Sequence, residues 1–240
     1  MKSQPAPGIH RIRPKVLFQQ IETRYPDENV GFKVNIPSSA IGGMTLLESS
    51  ILVSLCKLYR PQALFEFGTY LGATSLLLAE NTPQEARVVT LDIPANDPAA
   101  QVTGALDVLG SDTDNDTFLR KTFLDKGAVC IERAEPAIRA RITRLFQDSR
   151  TLDPQAQGLA GRFDFIFIDG GHDLETVAID TRNALAMARP NAVIAWHDFD
   201  SKIHGDVTTF LQGYSAQHAV YHVEHSMIAF QLLGAHAGTL

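Results

Sequence analysis

The sequence predicts a doubly wound α/β domain whose mostly parallel, seven-stranded sheet ends in a C-terminal antiparallel hairpin. Between Ala63 and Trp196 short apolar runs alternate with helical patterns, the mark of repeated βα units with helices on both faces of a parallel sheet. Near the end, residues 220–223 and 227–232 are two β-rich runs joined by a few residues, which demands a strand of opposite direction at the sheet's edge.

Residues 1–40 mix Pro, Gly and charge without sustained periodicity and read as an N-terminal arm or cap, leaving 41–240 as the domain proper. Thr45 and Glu48 have capping-box spacing, and Leu47, Ile51, Leu55 and Leu58 carry a helix up to Pro61. Then come a strand over Ala63–Phe67, a helix over 73–80 and a strand over 87–91. A helix near 117–124, a strand over 128–131 and a proline-opened helix over 136–146 follow. Phe163–Ile168 is apolar enough to be buried on both faces. Asp173 suits the cap of the next helix, 173–188, where Leu174, Val177, Ala178, Thr181, Leu185 and Ala188 share one face. Pro190-Asn191 ends it before a strand over 192–196.

At 240 residues, 45% apolar and 20% charged, the chain suits one globular domain with a sizeable core. No apolar stretch approaches the ~20 residues that span a bilayer, and the first residues lack the apolar run of a secretory signal, so the cytoplasm is the expected compartment. A net charge of -6 disfavours sequence-independent nucleic-acid binding and favours a small-molecule partner. Arg133, Arg139, Arg141 and Arg144 read as the wet face of a helix. The two cysteines, Cys56 and Cys130, form no CxxC pair and write neither a disulfide framework nor a zinc site. A homodimer is left open.

In open α/β sheets ligands bind beyond the carboxyl ends of the strands. After the first strand, FEFGTYLGATS offers Glu66, Gly68, Thr69, Tyr70, Gly72 and Ser75, where glycines let a ligand approach bare backbone at a helix N-terminus. This is not the GxGxxG of a dinucleotide site. The next strand ends in Asp92, placed to accept both hydroxyls of a ribose. Further on, buried strands deliver Asp169, Gly170, Gly171 and His172, then His197 and Asp198, to the same rim. Asp112, Asp114 and Asp116 imitate the start of a calcium loop but lack its glycine and terminal glutamate, and read as a solvated loop. His204 has no metal-like spacing to the other histidines.

The turn at Gly68 resembles motif I of the class I, Rossmann-like methyltransferases. The stretch from Phe163 to Asp200 is similar to small-molecule O-methyltransferases, especially the bacterial macrolide-sugar and cephalosporin hydroxylase-like branch. The resemblance spans about residues 40–232. It implies S-adenosylmethionine as cofactor, held by Glu66, Gly68, Thr69, Tyr70, Gly72, Ser75, Asp92 and Asp169. Ala134 would lie beside the adenine, where many relatives carry Gly-Asp-Ser or Gly-Asp-Ala and this chain carries Glu132-Arg133-Ala134. It further implies Mg²⁺ or another divalent metal on Asp169, His197 and Asp198, and His172 and Asp169 as catalytic residues, with His172 taking a proton from the acceptor hydroxyl. An imidazole at 197 tilts the choice of ion toward transition metals. The acceptor is a small-molecule hydroxyl, sugar or phenolic, selected by the arm and the 93–116 insertion. The rival readings are a nicotinamide-dependent oxidoreductase and a methyltransferase-like domain that binds without turnover.

Overall fold

The computed structural model describes residues 5–35, 41–94 and 104–240. Parts of the expected arm and of the 93–116 insertion therefore lie outside the described residues. Eight described strands form one sheet: β1 (Gly8–Ile12), β2 (Ala63–Phe67), β3 (Arg87–Asp92), β4 (Ile142–Phe146), β5 (Phe163–Ile168), β6 (Ala188–Trp196), β7 (Ala219–Val223) and β8 (Ala229–Leu232). Their spatial order is β1-β7-β8-β6-β5-β2-β3-β4.

The hairpin is present, with β8 antiparallel to both β6 and β7. It does not lie at the edge, however. β8 is interior, and β1 adds an outermost strand parallel to β7, from Gly8 opposite Ala219 to Ile12 opposite Val223. The sheet thus has one strand more than the seven expected.

Helices α1 (Pro14–Arg24), α2 (Leu46–Tyr59) and α3 (Ala73–Asn81) follow in the first half, α4 (Asp112–Lys126), α5 (Val129–Arg133) and α6 (Pro136–Arg139) in the middle, and α7 (Leu174–Met187) and α8 (Gly205–Ser215) toward the end. The capping box of α2 forms as its spacing predicts: the Glu48 amide donates to Thr45 Oγ1 (3.2 Å) and the Thr45 amide to Glu48 Oε2 (2.8 Å). Asp173 caps α7 by accepting from the Thr176 amide at 3.0 Å.

Two apolar clusters sandwich the sheet. One gathers Leu17, Ile21, Ile51, Leu55, Leu78 and Phe165; the other gathers Phe65, Ile166, Val177, Met187, Trp196 and Leu211. Leu17 and Ile21 come from α1, so part of the 1–40 segment is a strand and helix built into the core, not a separate cap. Among the described residues no helix is long and apolar enough to cross a membrane.

Two expected elements are corrected. Residues 128–131, expected as a strand, belong to the short helix α5, because a four-residue apolar run has no period of its own and Ile131 is used to pack against Gly72. The 136–146 helix stops at Arg139, and β4 begins at Ile142 because its partner β3 presents a free ladder from Val88 to Asp92. The arginines therefore share no helix face. Arg141 is buried and ties down the α3–β3 turn through the carbonyls of Ala86 (3.1 Å) and Pro83 (2.6 Å).

If α1 is part of the core, Leu17→Ala should lower the unfolding free energy by about 2–5 kcal/mol in urea denaturation. A loss well under about 1 kcal/mol would mean the helix is dispensable.

Candidate active site

The strand order reverses between β2 and β5, and there the loops diverge to leave a crevice. Gly68 follows β2 at φ +89°, and a Cβ on it would overlap the carbonyl oxygen of Asp169, which follows β5. Only glycine lets these two backbones meet. Above the contact lies a cavity of about 540 Å³, within the range of small-ligand sites.

One wall comes from the ends of β2 and β3. Asp92 Oδ2 accepts from the amides of Thr69 (3.0 Å) and Tyr70 (2.8 Å), and its Oδ1 from that of Ile93 (2.8 Å). Burial raises the pKa of this carboxyl, and the three amides only partly offset that. Oδ2 is saturated by its two amides, while Oδ1 keeps a lone pair for a ligand hydroxyl. Tyr70 takes the left-handed region at φ 45° and donates its hydroxyl to the Ile41 carbonyl across the mouth (2.9 Å). Such strain in a non-glycine residue persists only where the surroundings enforce it.

The opposite wall corrects the sequence reading. Since the third parallel strand is β4, the segment that follows it is Gln147-Asp148-Ser149, and these residues line the cavity. Ala134 ends α5 and is not among the lining residues. The Asp-Ser pair that the resemblance led one to seek is present, one element later than expected.

Of the other donor-site residues, Gly68, Tyr70, Asp92 and Asp169 line the cavity, whereas Glu66, Thr69, Gly72 and Ser75 lie beneath the turn. Thr69 Oγ1 pairs with Thr90 Oγ1 at 2.7 Å, Gly72 caps α3 against Ile131, and Ser75 Oγ donates to Glu66 Oε2. Glu66 Oε1 is buried with no partner, and burial pushes this carboxyl up to about 8. Its place is that of a protonated strut under the glycine turn, facing the helix and not the cavity.

On the β5–β6 side Asp169, His172, His197 and Asp198 converge as expected, but their roles divide differently. His197 Nδ1 lies 2.9 Å from Asp198 Oδ2 and 3.4 Å from Asp169 Oδ1, while its buried Nε2 faces Glu48 Oε2 at 3.6 Å. Burial opposes a charge on His197, but Asp198 and Asp169 outweigh it and raise its pKa well above the ordinary value. Burial alone would raise Glu48; His197 and the amides of Met227 and Thr45 bring it down to about 2. His197 is therefore a charged prop behind the two carboxylates. The donor atoms close enough to share an ion are those of Asp169, His172 and Asp198, not His197.

His172 is the more consequential correction. Its Nδ1 lies 2.5 Å from Asp116 Oδ1 and its Nε2 3.1 Å from Asp198 Oδ2. Burial disfavours the charge, yet the two carboxylates outweigh it and raise the pKa well above normal. A ring holding a proton on each nitrogen has no lone pair to offer, which argues against the free base expected there.

Four residues of the rim were missed in the sequence. Asp112 and Asp116, set aside as a solvated loop, lie one turn apart on α4, and Asp112 bonds to His204 Nδ1. His204 itself sits on the cavity wall at the start of α8, a helix not anticipated. Asp180 lies mid-way along α7 on the cavity wall, with neither oxygen partnered and burial raising it to about 7. The i,i+4 spacing of Asp112 and Asp116 was a usable signal; nothing local pointed to the other two.

The fold and this rim define a class I methyltransferase scaffold. A family model described as a methyltransferase domain matches residues 65–199, over half the chain, and the chain belongs to that family. No curated protein sequence matches it. Among solved structures it is similar to the SAH-bound Podospora anserina methyltransferase PaMTH1, at 15% identity and a TM-score of 0.53 over 92% of this chain and 88% of that one. It is likewise similar to cofactor-bound Rv0187 from MTB, at 16% identity and a TM-score of 0.52 over 91% and 88%. The nicotinamide-dependent oxidoreductase reading loses its ground with the family assignment.

Glu66 allows a check of the strut. Folded, it keeps its proton up to about pH 8; unfolded, it loses it near the model-peptide value of 4.5, so its burial costs stability as pH rises between those values. Glu66→Gln should match the wild type near pH 4 and gain roughly 2–4 kcal/mol relative to it by pH 8, measured by urea denaturation. A difference that does not change with pH would show that Glu66 is ionised in the folded chain.

Proposed function

We propose that this chain transfers the methyl group of S-adenosylmethionine to a hydroxyl of a small molecule, with a divalent cation at Asp169 and Asp198. The observation that carries the reading is the one cavity lined by Gly68, Asp92, the Gln147–Ser149 segment and Asp169, which combines bare backbone, a carboxylate for a ribose and a segment able to border a base. The donor supplies an electrophilic methyl on sulfonium, and the cation would lower the pKa of the acceptor hydroxyl and orient its oxygen.

The chain's own residues do the remainder. The Gly68 turn receives the amino-acid part of the donor, and Asp92 fixes the ribose through the Oδ1 lone pair that its amide partners leave free. Gln147 to Ser149 bound the adenine. Two carboxylates suit a hard ion such as Mg²⁺ that keeps several waters. His197 holds Asp169 and Asp198 in place from behind, and His172 donates to Asp198 from the side. Asp169, on the cavity wall, then takes the hydroxyl proton. Alignment of acceptor and methyl provides most of the acceleration.

Titration with S-adenosylhomocysteine up to about 1 mM, where an affinity of only about −4 kcal/mol registers, should give heat and a thermal shift. Neither signal would end the donor reading. Asp169→Asn should lower kcat by about 100-fold or more while leaving that binding intact. Binding with no methyl consumption over a broad acceptor panel would favour a non-catalytic binding domain.

A further inference from the structure

Beyond the inner pair Asp169 and Asp198, a group of side chains beside the cavity contains three, Asp112, Asp116 and His204, that have no part in the reaction described above, together with His172, whose Nδ1 that reaction leaves unused. Asp112 and Asp116 project from successive turns of α4. His172 follows β5 and His204 precedes α8, so three separated elements meet at one point. One ligating atom from each of the four lies within 4.8 Å of all the others. We propose that Asp112, Asp116, His172 and His204 form a second cation site, for a transition ion of the Zn²⁺ class, distinct from the inner carboxylate pair.

The donor set is two imidazoles and two carboxylates, which suits Zn²⁺, Co²⁺ or Fe²⁺ far better than Mg²⁺. Both Nδ1 atoms face the α4 acids, His172 toward Asp116 and His204 toward Asp112. The rings are stacked, with centroids 3.7 Å apart and planes 19° from parallel. Two imidazolium rings would repel in that arrangement, whereas two neutral rings sharing one ion on the same side do not. Both histidines are more than nine-tenths buried. A divalent ion between two carboxylates and two neutral imidazoles leaves the buried group with no net charge.

The second nitrogen of His172 supports the same assignment. A metal-bound histidine characteristically donates its other N–H to a carboxylate, which fixes the tautomer and ring orientation. His172 Nε2 is 3.1 Å from Asp198 Oδ2. Binding an ion on Nδ1 releases the proton that His172 shares with Asp116 and keeps the one it gives to Asp198. The outer ion would thus join α4 to the rim and orient, through one imidazole, a ligand of the inner site. The inference does not depend on the identity of the methyl donor.

Protein stripped with a chelator and titrated with Co²⁺ alone should show visible d–d bands from a nitrogen and oxygen site, bleached by Zn²⁺ and not by excess Mg²⁺. Asp112→Asn and His204→Ala should each weaken this binding by about 100-fold, while Asp169→Asn leaves the bands in place. Bands that survive in both outer variants, bands lost only in Asp169→Asn, or no bands in the wild type would overturn the proposal. Circular dichroism and melting establish that each variant is folded; should His204→Ala fail to fold, Asp112→Asn and His204→Gln carry the comparison.

Discussion

The contact between Gly68 and the backbone of Asp169 is the constraint on which the rest of the site depends. It sets β2 and β5 side by side at the point where the strand order reverses, and β3 and β6, which end at Asp92 and just before His197 and Asp198, pair directly with them. A side chain at 68 would part the two strands at their carboxyl ends, opening the floor of the cavity and separating the Asp92 wall from the Asp169 wall. The positive φ and the missing Cβ are therefore two aspects of one requirement, close approach of backbone to backbone.

Around that floor the chemistry is one of excess acid held in check. Glu48, Asp169, Asp198, Asp116 and Asp112 are met by His197, His172 and His204 in a nearly continuous series of contacts from α2 across the rim to α4. Buried carboxylates at such density are costly unless each finds a cation or a proton. The histidines supply protons; metal ions would supply the same compensation with fixed geometry. Glu48 has a further task. It closes the capping box of α2 and also accepts from the Met227 amide in the loop between β7 and β8, so the helix start, the hairpin turn and the rim are secured by one side chain.

What could be read in advance followed from local pattern. The capping box, the FDFIFI strand, the Asp173 cap and the glycine turn each have a signature within a few residues. The errors came where a short apolar run had no intrinsic period and its pairing partner decided the outcome, as at 128–131 and 136–146. Misplacing the third parallel strand put the expected adenine contact at Ala134 and concealed the cavity lining by Gln147–Ser149. His204, Asp180 and the pairing of Asp116 with His172 were illegible for another reason: their meaning arises only when segments 56 to 92 residues apart are brought together. The family resemblance identified the fold, but it carried the free base at His172 into a setting where two carboxylates occupy the ring.

The outermost strand has a consequence for how the chain is made. β1 is parallel to β7, with Gly8 opposite Ala219, so β1 leaves the ribosome well before the strand it pairs with. Through most of synthesis the nascent domain must keep this strand from pairing with a neighbour's. Its polar positions, His10 and Arg11, discourage such edge association. Pairing of β1 is thus deferred until β7 has emerged, and a chain cut short before residue 219 would leave β1 without its parallel partner.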